Sequence, residues 1–302
     1  MRRLVTSKAS FARCSEARVV GNYLPAMFTV EQIDSFDRPE LQPYQTMRRQ
    51  MAHREQGIFV AEGEKVVRRL LESNFGVVSA LMPEQWLVEL EPLLNQRPET
   101  VRVFIAEKAL LETLTGYSMY QGLLAIGQIP NQVPLEQILD GSAPPHLLVA
   151  VDALSNAENL GALVRNCAAF ETQALIVGET SSSPFLRRAV RSSMGTVFNL
   201  PIVETPNLVE CLNTLRGRGI HRIAAHPHVD KRTLSDADFT RDCCIIFGSE
   251  GHGISEDVLA LCDDAVAIPM PPTVDSLNVG SAAAVFLYEA RRQRAHRSNT
   301  FE

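Results

Sequence analysis

Residues Leu147 to Val151 form an uninterrupted run of aliphatic side chains, which is typical of a strand buried on both faces of a parallel sheet. Similar short runs rich in Val, Ile and Leu alternate with segments of helical periodicity from about residue 46 onward. This alternation indicates an α/β architecture, in which helices cover the faces of a largely parallel sheet. A chain of 302 residues exceeds the usual size of one domain, so we expect two.

The second half of the chain contains the clearest series of elements. Strands are predicted at Leu147–Val151, Ala174–Val177, Leu200–Val203, Arg222–Ala225, Cys243–Phe247 and Ala265–Ile268. Helices are predicted between them at about 159–170, 185–193, 207–217, 255–261 and 278–295. Ligands of open α/β sheets bind where loops leave the carboxyl ends of the strands, so these loops are the expected location of a functional site.

The first half predicts a smaller α/β unit. Its strands are expected at Gly57–Val60, Val77–Met82, Val101–Ile105 and Gly122–Ile129, with helices at about 63–73, 84–94 and 107–115. The segment from Pro130 to Pro145 is rich in proline and glycine and has no clear period, which is typical of a linker. We therefore divide the chain into a first domain at 31–130, a linker at 131–145 and a second domain at 146–302.

The composition is ordinary for a globular protein, with 45% apolar and 21% charged residues. No apolar run approaches the ~20 residues that span a bilayer. We expect a soluble, cytoplasmic protein with no membrane partner. The six cysteines form no Cys-x-x-Cys pair, which favours a reducing compartment and no structural zinc or other metal.

The formal net charge of −6 argues against a protein that binds nucleic acid through its whole surface, because Lys and Arg make the phosphate contacts. Any nucleic-acid site must therefore be local. Local basic clusters exist, although most such clusters are solvated helix faces. They are Arg48, Arg49 and Arg54; Lys65, Arg68 and Arg69; Arg187, Arg188 and Arg191; and Arg291, Arg292, Arg294 and Arg297.

The first 26 residues carry five basic side chains and a single acidic one, Glu16. This composition has a faint similarity to a transit peptide. We favour a disordered extension over residues 1–30, or a chain whose natural start is Met27. The acidic residues that follow Met27 end the basic bias.

Three of the loops that follow strands have unusual compositions. The first, residues 152–166, leads into a helix with Asn159 in its first turn and Arg165 farther along. Asn159 is interpreted either as an N-cap or as a functional amide. Arg165 lies in an otherwise apolar helix, where a charge needs a partner, so it either forms a buried ion pair or serves a site.

The second loop, residues 247–254, places Gly248, Gly251 and Gly253 around one carboxylate, that of Glu250. Glycines let a backbone pass close to a ligand or adopt a positive φ. A tight turn is the simpler interpretation of this loop taken alone. The loop matches neither the dinucleotide fingerprint nor a phosphate loop.

The third loop begins at Ile268, continues through prolines and enters a helix through Ser276, Leu277 and Asn278. A run of small residues at the start of this helix permits very close packing. The simpler interpretation makes Ser276 the N-cap of a core helix, with basic residues near its negative C-terminal end. Capping and a functional role are compatible.

Together the three loops resemble the three signature motifs of the SpoU/TrmH family of trefoil-knotted methyltransferases. The motifs are Asn-x-Gly-x-x-x-Arg, Gly-x-Glu-x-x-Gly, and Ile-Pro-Met followed by Ser-Leu-Asn-Val and a small-residue helix. The matching positions are Asn159, Gly161 and Arg165; Gly248, Glu250 and Gly253; and Ile268, Pro269, Met270, Ser276, Leu277 and Asn278. Order and spacing agree over roughly residues 146–295. Gly280 and Ser281 depart from the family pattern, which puts the packing of the last helix in question.

The resemblance implies an S-adenosylmethionine-dependent methyltransferase that acts on a ribose 2′-hydroxyl of structured RNA, either rRNA or tRNA. It also implies a homodimer and a trefoil knot in a parallel-sheet domain at 146–302. The first half resembles, more weakly, the small α/β domain with which many members recognise RNA, so residues 31–130 are expected to bind the substrate. Motif position assigns the cofactor contacts to Gly248, Ile268 and Leu277.

The resemblance assigns the chemistry to five residues: Asn159, Arg165, Glu250, Ser276 and Asn278. A guanidinium has an intrinsic pKa above ~12. Arg165 is therefore expected to stabilise a developing alkoxide or to bind a phosphate, rather than to act as an ordinary base. The two amides and the serine would fix Arg165 and the ribose, and Glu250 would position the loops or the arginine.

Two other functions are open at this point. One is a non-catalytic RNA-binding or ribosome-assembly protein that keeps the knot as a scaffold, although the intact set of five site residues argues against it. The other is a knotted enzyme that methylates a base nitrogen instead of a ribose.

Overall fold

The structure, a computed structural model, describes residues 28–115, 122–227 and 232–298. The candidate start at Met27 and the basic segment before it lie outside the described residues. Within the described ranges the chain forms a five-stranded sheet from its first half and a six-stranded sheet from its second half. Helices cover both faces of each sheet, so the prediction of an α/β fold is confirmed.

The N-terminal sheet contains the strands β1 (Phe28–Gln32), β2 (Ile58–Glu62), β3 (Val77–Met82), β4 (Val101–Ile105) and β5 (Leu124–Gln128). Its helices are α1 (Gln42–Gln45), α2 (Gln50–Glu55), α3 (Glu64–Glu72), α4 (Glu84–Leu94) and α5 (Lys108–Thr115). The strand order is β1-β4-β3-β5-β2. β1, β4 and β3 run parallel, whereas β5 is antiparallel to β3 and β2, so this sheet is mixed.

Helix α3 shows how the sequence sets these elements. Gly63 precedes the helix with a φ of +94°, a conformation that favours glycine. The apolar residues that follow are spaced three and four apart, so they form one stripe against the sheet. The buried members of this stripe are Val66, Val67, Leu70 and Leu71.

The C-terminal sheet contains β6 (Leu147–Val151), β7 (Ala174–Val177), β8 (Ile202–Glu204), β9 (His221–Ala225), β10 (Cys243–Phe247) and β11 (Asp264–Val266). All its pairings are parallel, in the order β11-β9-β10-β6-β7-β8. The central strands β6 and β10 are buried along their whole length, because helices cover both faces. The chain order reverses between them, which is where open α/β sheets bind ligands.

The helices of this half are α6 (Leu135–Gly141), α7 (Ala157–Ala169), α8 (Arg187–Ser192), α9 (Leu208–Gly217), α10 (Glu256–Leu259) and α11 (Val279–Ser298). α7, α8 and α11 pack on one face of the sheet, and α6, α9 and α10 pack on the other. α11 lies very close to α7, because a Cβ on Gly280 would lie 3.2 Å from the Cβ of Ala162. The departure of Gly280 from the family pattern therefore accompanies a tight helix pair.

The structure corrects two expected boundaries. Residues 131–145, expected to be a linker, contain α6, whose Leu135 and Leu139 are buried against the C-terminal sheet. Two apolar residues four apart are too short a pattern to stand out among prolines and glycines. The extension expected over 1–30 overlaps β1, which begins at Phe28 and becomes a strand by pairing with β4.

The two halves share a hydrophobic core at their junction. An aromatic cluster fills it, formed by Phe59 and Phe75 of the first half and Phe185 and Phe198 of the second. Ring centroids across the junction lie 5.3 to 6.1 Å apart. The end of β2 is also paired to the start of α8, where Oε2 of Glu62 lies 2.5 Å from Nη1 of Arg187. The two halves therefore pack as one body. The proline-rich pattern of residues 131–145 gave no indication of this contact.

Candidate active site

The carboxyl ends of β9 and β10 and the segment after β11 surround a cavity of about 360 Å³. Small-molecule sites have volumes of roughly 300–1,000 Å³. The cavity is lined by all three residues to which cofactor contacts were assigned, Gly248, Ile268 and Leu277. Glu250 and Ser276 line it as well.

Apolar side chains from several elements line part of this cavity. They are Phe247, Val266, Ile268, Met270, Leu277, Val279 and Phe286. Phe286 was not identified from the sequence, where it has the pattern of an ordinary core residue of the last helix. It is buried and packs edge-on against Phe247, with ring centroids 5.6 Å apart. Only the position of α11 over β10 brings this ring to the cavity.

The loop after β10 is a tight turn that forms one side of the cavity. Ser249 and Gly253 exchange two backbone hydrogen bonds, of 2.9 and 3.0 Å, and Gly253 has a φ of +70°. A Cβ on Gly248 would lie 2.1 Å from the carbonyl carbon of Gly253, so the turn requires glycine at this position. The glycine pattern therefore builds a turn that presents Glu250 at the edge of the cavity.

α11 begins at Val279, so Asn278 rather than Ser276 precedes its first turn. Oδ1 of Asn278 accepts a hydrogen bond of 2.9 Å from the backbone N–H of Gly280. This bond satisfies one of the free N–H groups at the start of the helix. The predicted capping role of Ser276 is wrong, because the helix starts three residues after it.

A side-chain network joins the three loops at the edge of the cavity. Nδ2 of Asn159 donates a hydrogen bond to Oε1 of Glu250. Nδ2 of Asn278 lies 3.1 Å from the same Oε1 and 3.1 Å from Oδ1 of Asn159. Three of the five residues predicted to carry chemistry thus contact one another, and Ser276 lies in the same loop as Asn278.

The amide of Asn159 is available for this network because another residue caps α7. Oδ1 of Asn156 accepts hydrogen bonds from the backbone N–H groups of Glu158 and Asn159, at 2.8 and 3.2 Å. The interpretation of Asn159 as an N-cap is wrong, since the helix begins at Ala157, two residues before Asn159.

Arg165 lies apart from the network. It is exposed on α7, it does not line the cavity, and the described part of the chain provides no hydrogen bond or ion pair for its guanidinium. The alternative of a buried ion pair is wrong, because the apolar stripe of the helix faces the sheet while Arg165 faces outward. Within a single chain, the structure does not bring Arg165 to the other predicted site residues.

Asp152 has a positioning role that sequence reasoning missed. Its buried carboxylate accepts a hydrogen bond of 2.7 Å from the backbone N–H of Ser255. This bond ties the loop after β6 to the loop after β10. The signal was present, because a charged residue directly after a fully apolar strand needs a buried partner.

Within residues 28–115, 122–227 and 232–298, no helix is long and apolar enough to cross a membrane. The same residues contain no group of three or more His, Cys, Asp or Glu side chains that is arranged to hold a metal ion.

Comparison with known proteins identifies the family. The sequence profile of the SpoU rRNA methylase family matches residues 146–288. An uncharacterised tRNA/rRNA methyltransferase of Mycobacterium leprae (strain TN) is 31% identical over 241 residues, which cover 78% of this chain and 71% of that protein. The chain belongs to the SpoU rRNA methylase family. The family resemblance predicted from the three loops is therefore confirmed.

Two further relatives extend the match. An uncharacterised tRNA/rRNA methyltransferase of Synechocystis sp. is 29% identical over 274 residues, which cover 89% of this chain and 97% of that protein. A relative from Mycobacterium avium (strain 104) is 34% identical over 198 residues, and this chain spans 63% of its length.

Solved structures of methyltransferases have the same fold. The SpoU methyltransferase AviRb from Streptomyces viridochromogenes, in complex with AdoMet, matches with a TM-score of 0.74 at 27% identity. That match covers 85% of this chain and 98% of AviRb. A crystal structure of an RNA 2′-O ribose methyltransferase matches with a TM-score of 0.72 at 25% identity, over 88% of this chain and 100% of that one. Both matches extend into the N-terminal half, beyond the region that the family profile covers.

Proposed function

We propose that this chain transfers a methyl group from S-adenosylmethionine to a ribose 2′-hydroxyl of a structured rRNA or tRNA. The network of Asn159, Glu250 and Asn278 carries the proposal, because it gathers polar residues of all three family motifs beside a cavity of small-molecule size. Relatives named tRNA/rRNA methyltransferases and the solved RNA 2′-O ribose methyltransferase support it. A trefoil knot in the C-terminal domain stays a prediction of the family resemblance.

The residues of the cavity fit S-adenosylmethionine, the ligand present in the AviRb complex. Ile268 and Leu277 offer apolar surface to an adenine ring, and Gly248 lines the cavity with backbone atoms alone. The carboxylates of Glu250 and Asp275 suit the positive charge of a sulfonium. When bound, this cofactor supplies the methyl group.

The chain's own residues must align the ribose hydroxyl and help it to lose its proton. Alignment of two reactants contributes about 7 kcal/mol or more in favourable cases. Asn278 is held at the start of α11 and Glu250 by a tight turn, so the amides of Asn159 and Asn278 are fixed before RNA arrives. We assign ribose contacts to these amides and to Ser276. Glu250 orients both amides by accepting hydrogen bonds from each.

Arg165 is assigned to stabilisation of the developing alkoxide or of the adjacent phosphate, because a guanidinium does not act as an ordinary base. Arg165 is exposed and does not line the cavity of its own chain, which favours a homodimer in which it serves the cavity of the partner. An exposed apolar surface on α11 supports this arrangement. Val285 and Tyr288 are 39% and 59% exposed, and Tyr288 packs edge-on against Phe170 of the α7 side.

The first test is methyl transfer from S-adenosyl-[methyl-³H]methionine to purified rRNA and tRNA. Label in alkali-resistant dinucleotides supports ribose methylation. Label on a base would instead support the alternative of an enzyme that methylates a base nitrogen. Absence of methyl transfer, together with absence of cofactor binding in calorimetry, would favour the alternative of a non-catalytic RNA-binding or ribosome-assembly protein. Arg165→Ala should bind the cofactor normally and transfer methyl groups at least ~100-fold more slowly. Unchanged turnover in that variant would remove Arg165 from the mechanism.

The second test asks whether Arg165 acts across a dimer. Arg165→Ala and Asn278→Ala are each expected to transfer methyl groups on the order of 100-fold more slowly than the wild type. When the two variants are mixed and allowed to exchange subunits, a mixed dimer has one cavity with both residues intact, so activity should return. If Arg165 acts within its own chain, every cavity of the mixture lacks one residue and activity stays low. Light scattering measures the oligomeric state independently.

A further inference from the structure

A second cleft, of about 720 Å³, lies at the junction of the two halves of the chain. Its lining is dominated by charge: Arg48, Arg187, Arg188, Arg191, Glu62, Glu158 and Ser192. We propose that this arginine cleft binds the phosphodiester backbone of the RNA next to the nucleotide that enters the cavity. The inference rests on the proposed function, because it adds phosphate contacts to the ribose contacts that are assigned at the edge of the cavity.

The arginine cleft is positively charged in a protein that is acidic as a whole. Four guanidinium groups against two carboxylates leave a net charge of +2 in the cleft, while the whole chain has a net charge of −6. Phosphate contact depends on such local positive charge. Guanidinium groups also match phosphate geometry, since they donate two parallel hydrogen bonds.

Two of the arginines are paired and one is open. Oε2 of Glu62 lies 2.5 Å from Nη1 of Arg187, and Oε1 of Glu62 lies 3.3 Å from Nη1 of Arg191. The side chains of Glu62 and Arg187 are 10% and 13% exposed, whereas that of Arg191 is 59% exposed. The guanidinium of Arg191 is therefore accessible from solvent although it is paired. Arg188 is exposed, and no ion pair involves it within residues 28–115, 122–227 and 232–298. Arg188 and Arg191 are therefore the groups best placed to meet a phosphate.

Close packing of α8 on α7 creates the cleft. A Cβ on Gly161 would lie 2.3 Å from the carbonyl oxygen of Ala189 and 2.7 Å from the Cβ of Ser192. Only glycine allows this approach, which places the basic residues of α8 beside the first turn of α7. Arg48, which precedes α2, reaches the same cleft from the N-terminal half, so both halves of the chain contribute.

The cleft leads toward the proposed catalytic residues. Glu158 lines it and directly precedes Asn159, which belongs to the network at the edge of the cavity. Arg165 lies seven residues after Glu158, on the same stripe of α7 and about 10 Å farther along the helix. An RNA strand with phosphates on α8 can therefore follow one helix face from the domain junction to Arg165, which in the proposed homodimer lies at the cavity of the partner. A carboxylate repels phosphate, so Glu158 marks a point where a ribose or base passes.

The test measures binding of a fluorescein-labelled RNA stem-loop with a single-stranded 3′ tail, by fluorescence anisotropy over a series of KCl concentrations. Arg188→Ala, Arg191→Ala and the double variant are compared with Arg216→Ala. Arg216 is a matched control, since it is exposed and lies on α9, on the opposite face of the C-terminal sheet. Thermal unfolding and calorimetry with S-adenosylmethionine verify that each variant is folded and has an intact cavity.

Each single substitution in the cleft should weaken RNA binding about fivefold at low salt. The slope of log affinity against log salt should fall by roughly 0.7 to 0.9 for each phosphate that the variant no longer neutralises. Arg216→Ala should bind like the wild type. A double variant with wild-type affinity and slope, or a wild-type protein that does not bind the probe, would overturn the proposal.

The two proposals fail separately. If the double variant loses RNA affinity while the wild type transfers no methyl group, the arginine cleft stands and the proposed activity falls. If the wild type methylates RNA and the double variant binds and methylates equally well, the activity stands and the cleft falls.

Discussion

Nδ2 of Asn278 donates a hydrogen bond of 3.1 Å to Oδ1 of Asn159, although 119 residues separate the two in the chain. The same nitrogen lies 3.1 Å from Oε1 of Glu250, while Oδ1 of Asn278 accepts a hydrogen bond from the N–H of Gly280. The side-chain amide of Asn278 therefore caps α11 through its oxygen and hydrogen-bonds to the network through its nitrogen. A capping role and a role in the site coincide in this residue.

Two substitutions separate these roles of Asn278. Asn278→Ala removes the cap and the network, and should lower the free energy of unfolding by about 1 kcal/mol. Asn278→Ser keeps an oxygen that caps about as well, but it lacks the amide N–H groups. Both variants should transfer methyl groups about 100-fold more slowly, measured at saturating cofactor beside urea unfolding. Wild-type activity in the serine variant would restrict Asn278 to capping.

Gly161→Ala should destabilise the protein although alanine has the higher helix propensity. The added Cβ would meet the carbonyl oxygen of Ala189 at 2.3 Å, so α7 and α8 must move apart, at a cost of about 1 to 3 kcal/mol. Gly217→Ala, at the end of α9, adds a Cβ into open space and should stabilise by up to ~1 kcal/mol. Urea unfolding distinguishes the two. Equal stabilisation by both would show that the α7–α8 contact is looser than the structure indicates.

Phe59→Ala should destabilise the whole chain, because this buried ring packs on Phe185 and Phe198 of the other half. The expected loss is about 3 to 5 kcal/mol. Fluorescence of Trp86, in the N-terminal half, and far-UV circular dichroism should report one shared transition. Val88→Ala, at a side chain that is 75% exposed, is the matched control and should change little. Two separate transitions in the wild type would contradict a shared core.

The stability of the protein should decrease at alkaline pH. Burial raises the pKa of the Cys167 thiol from its ordinary value of 9.0 to about 12, and the pKa of Cys211 and Cys262 to about 11. The unfolded chain then releases these protons at lower pH than the folded chain does. The free energy of unfolding should therefore be retained below pH 9.0 and fall as the pH rises toward 11. Each thiol should contribute a decrease of up to ~1.4 kcal/mol for each pH unit.

Cys167→Ala isolates the contribution of one thiol to this pH dependence. Urea unfolding at a series of pH values from neutral to alkaline should give a shallower decline for the variant than for the wild type. Other groups that titrate in this range are common to both proteins, so the difference reports Cys167. Parallel curves would show that this thiol ionises as readily in the folded protein as in the unfolded one.

Much of the fold was predictable because buried strands carry a local signal. β3, β4, β6, β7 and β10 have the predicted bounds, since each is a continuous run of mostly apolar residues that helices cover on both faces. The ends of the helices were predicted less accurately than the bounds of these strands. The caps of α7 and α11 are Asn156 and Asn278 rather than Asn159 and Ser276, because each sequence offers several capping residues within one turn.

The candidate site was predictable in its residues but only partly in its geometry. Motif spacing selected Asn159, Glu250 and Asn278, and the structure brings these three together. The same motifs included Arg165, which the fold of one chain leaves exposed and without a partner within the described ranges. The position of a side chain around a helix depends on how the helix packs, which a motif does not record.

The sequence by itself determined the α/β class, most strand positions and membership of the SpoU family, because hydrophobic periodicity and motif spacing are properties of neighbouring residues. Only the tertiary structure decided that β1 pairs with β4, that α6 packs on the C-terminal sheet, and that Gly161 brings α8 onto α7. These features depend on contacts between residues far apart in the chain. The aromatic junction and the arginine cleft arise in the same way, since each combines side chains of both halves.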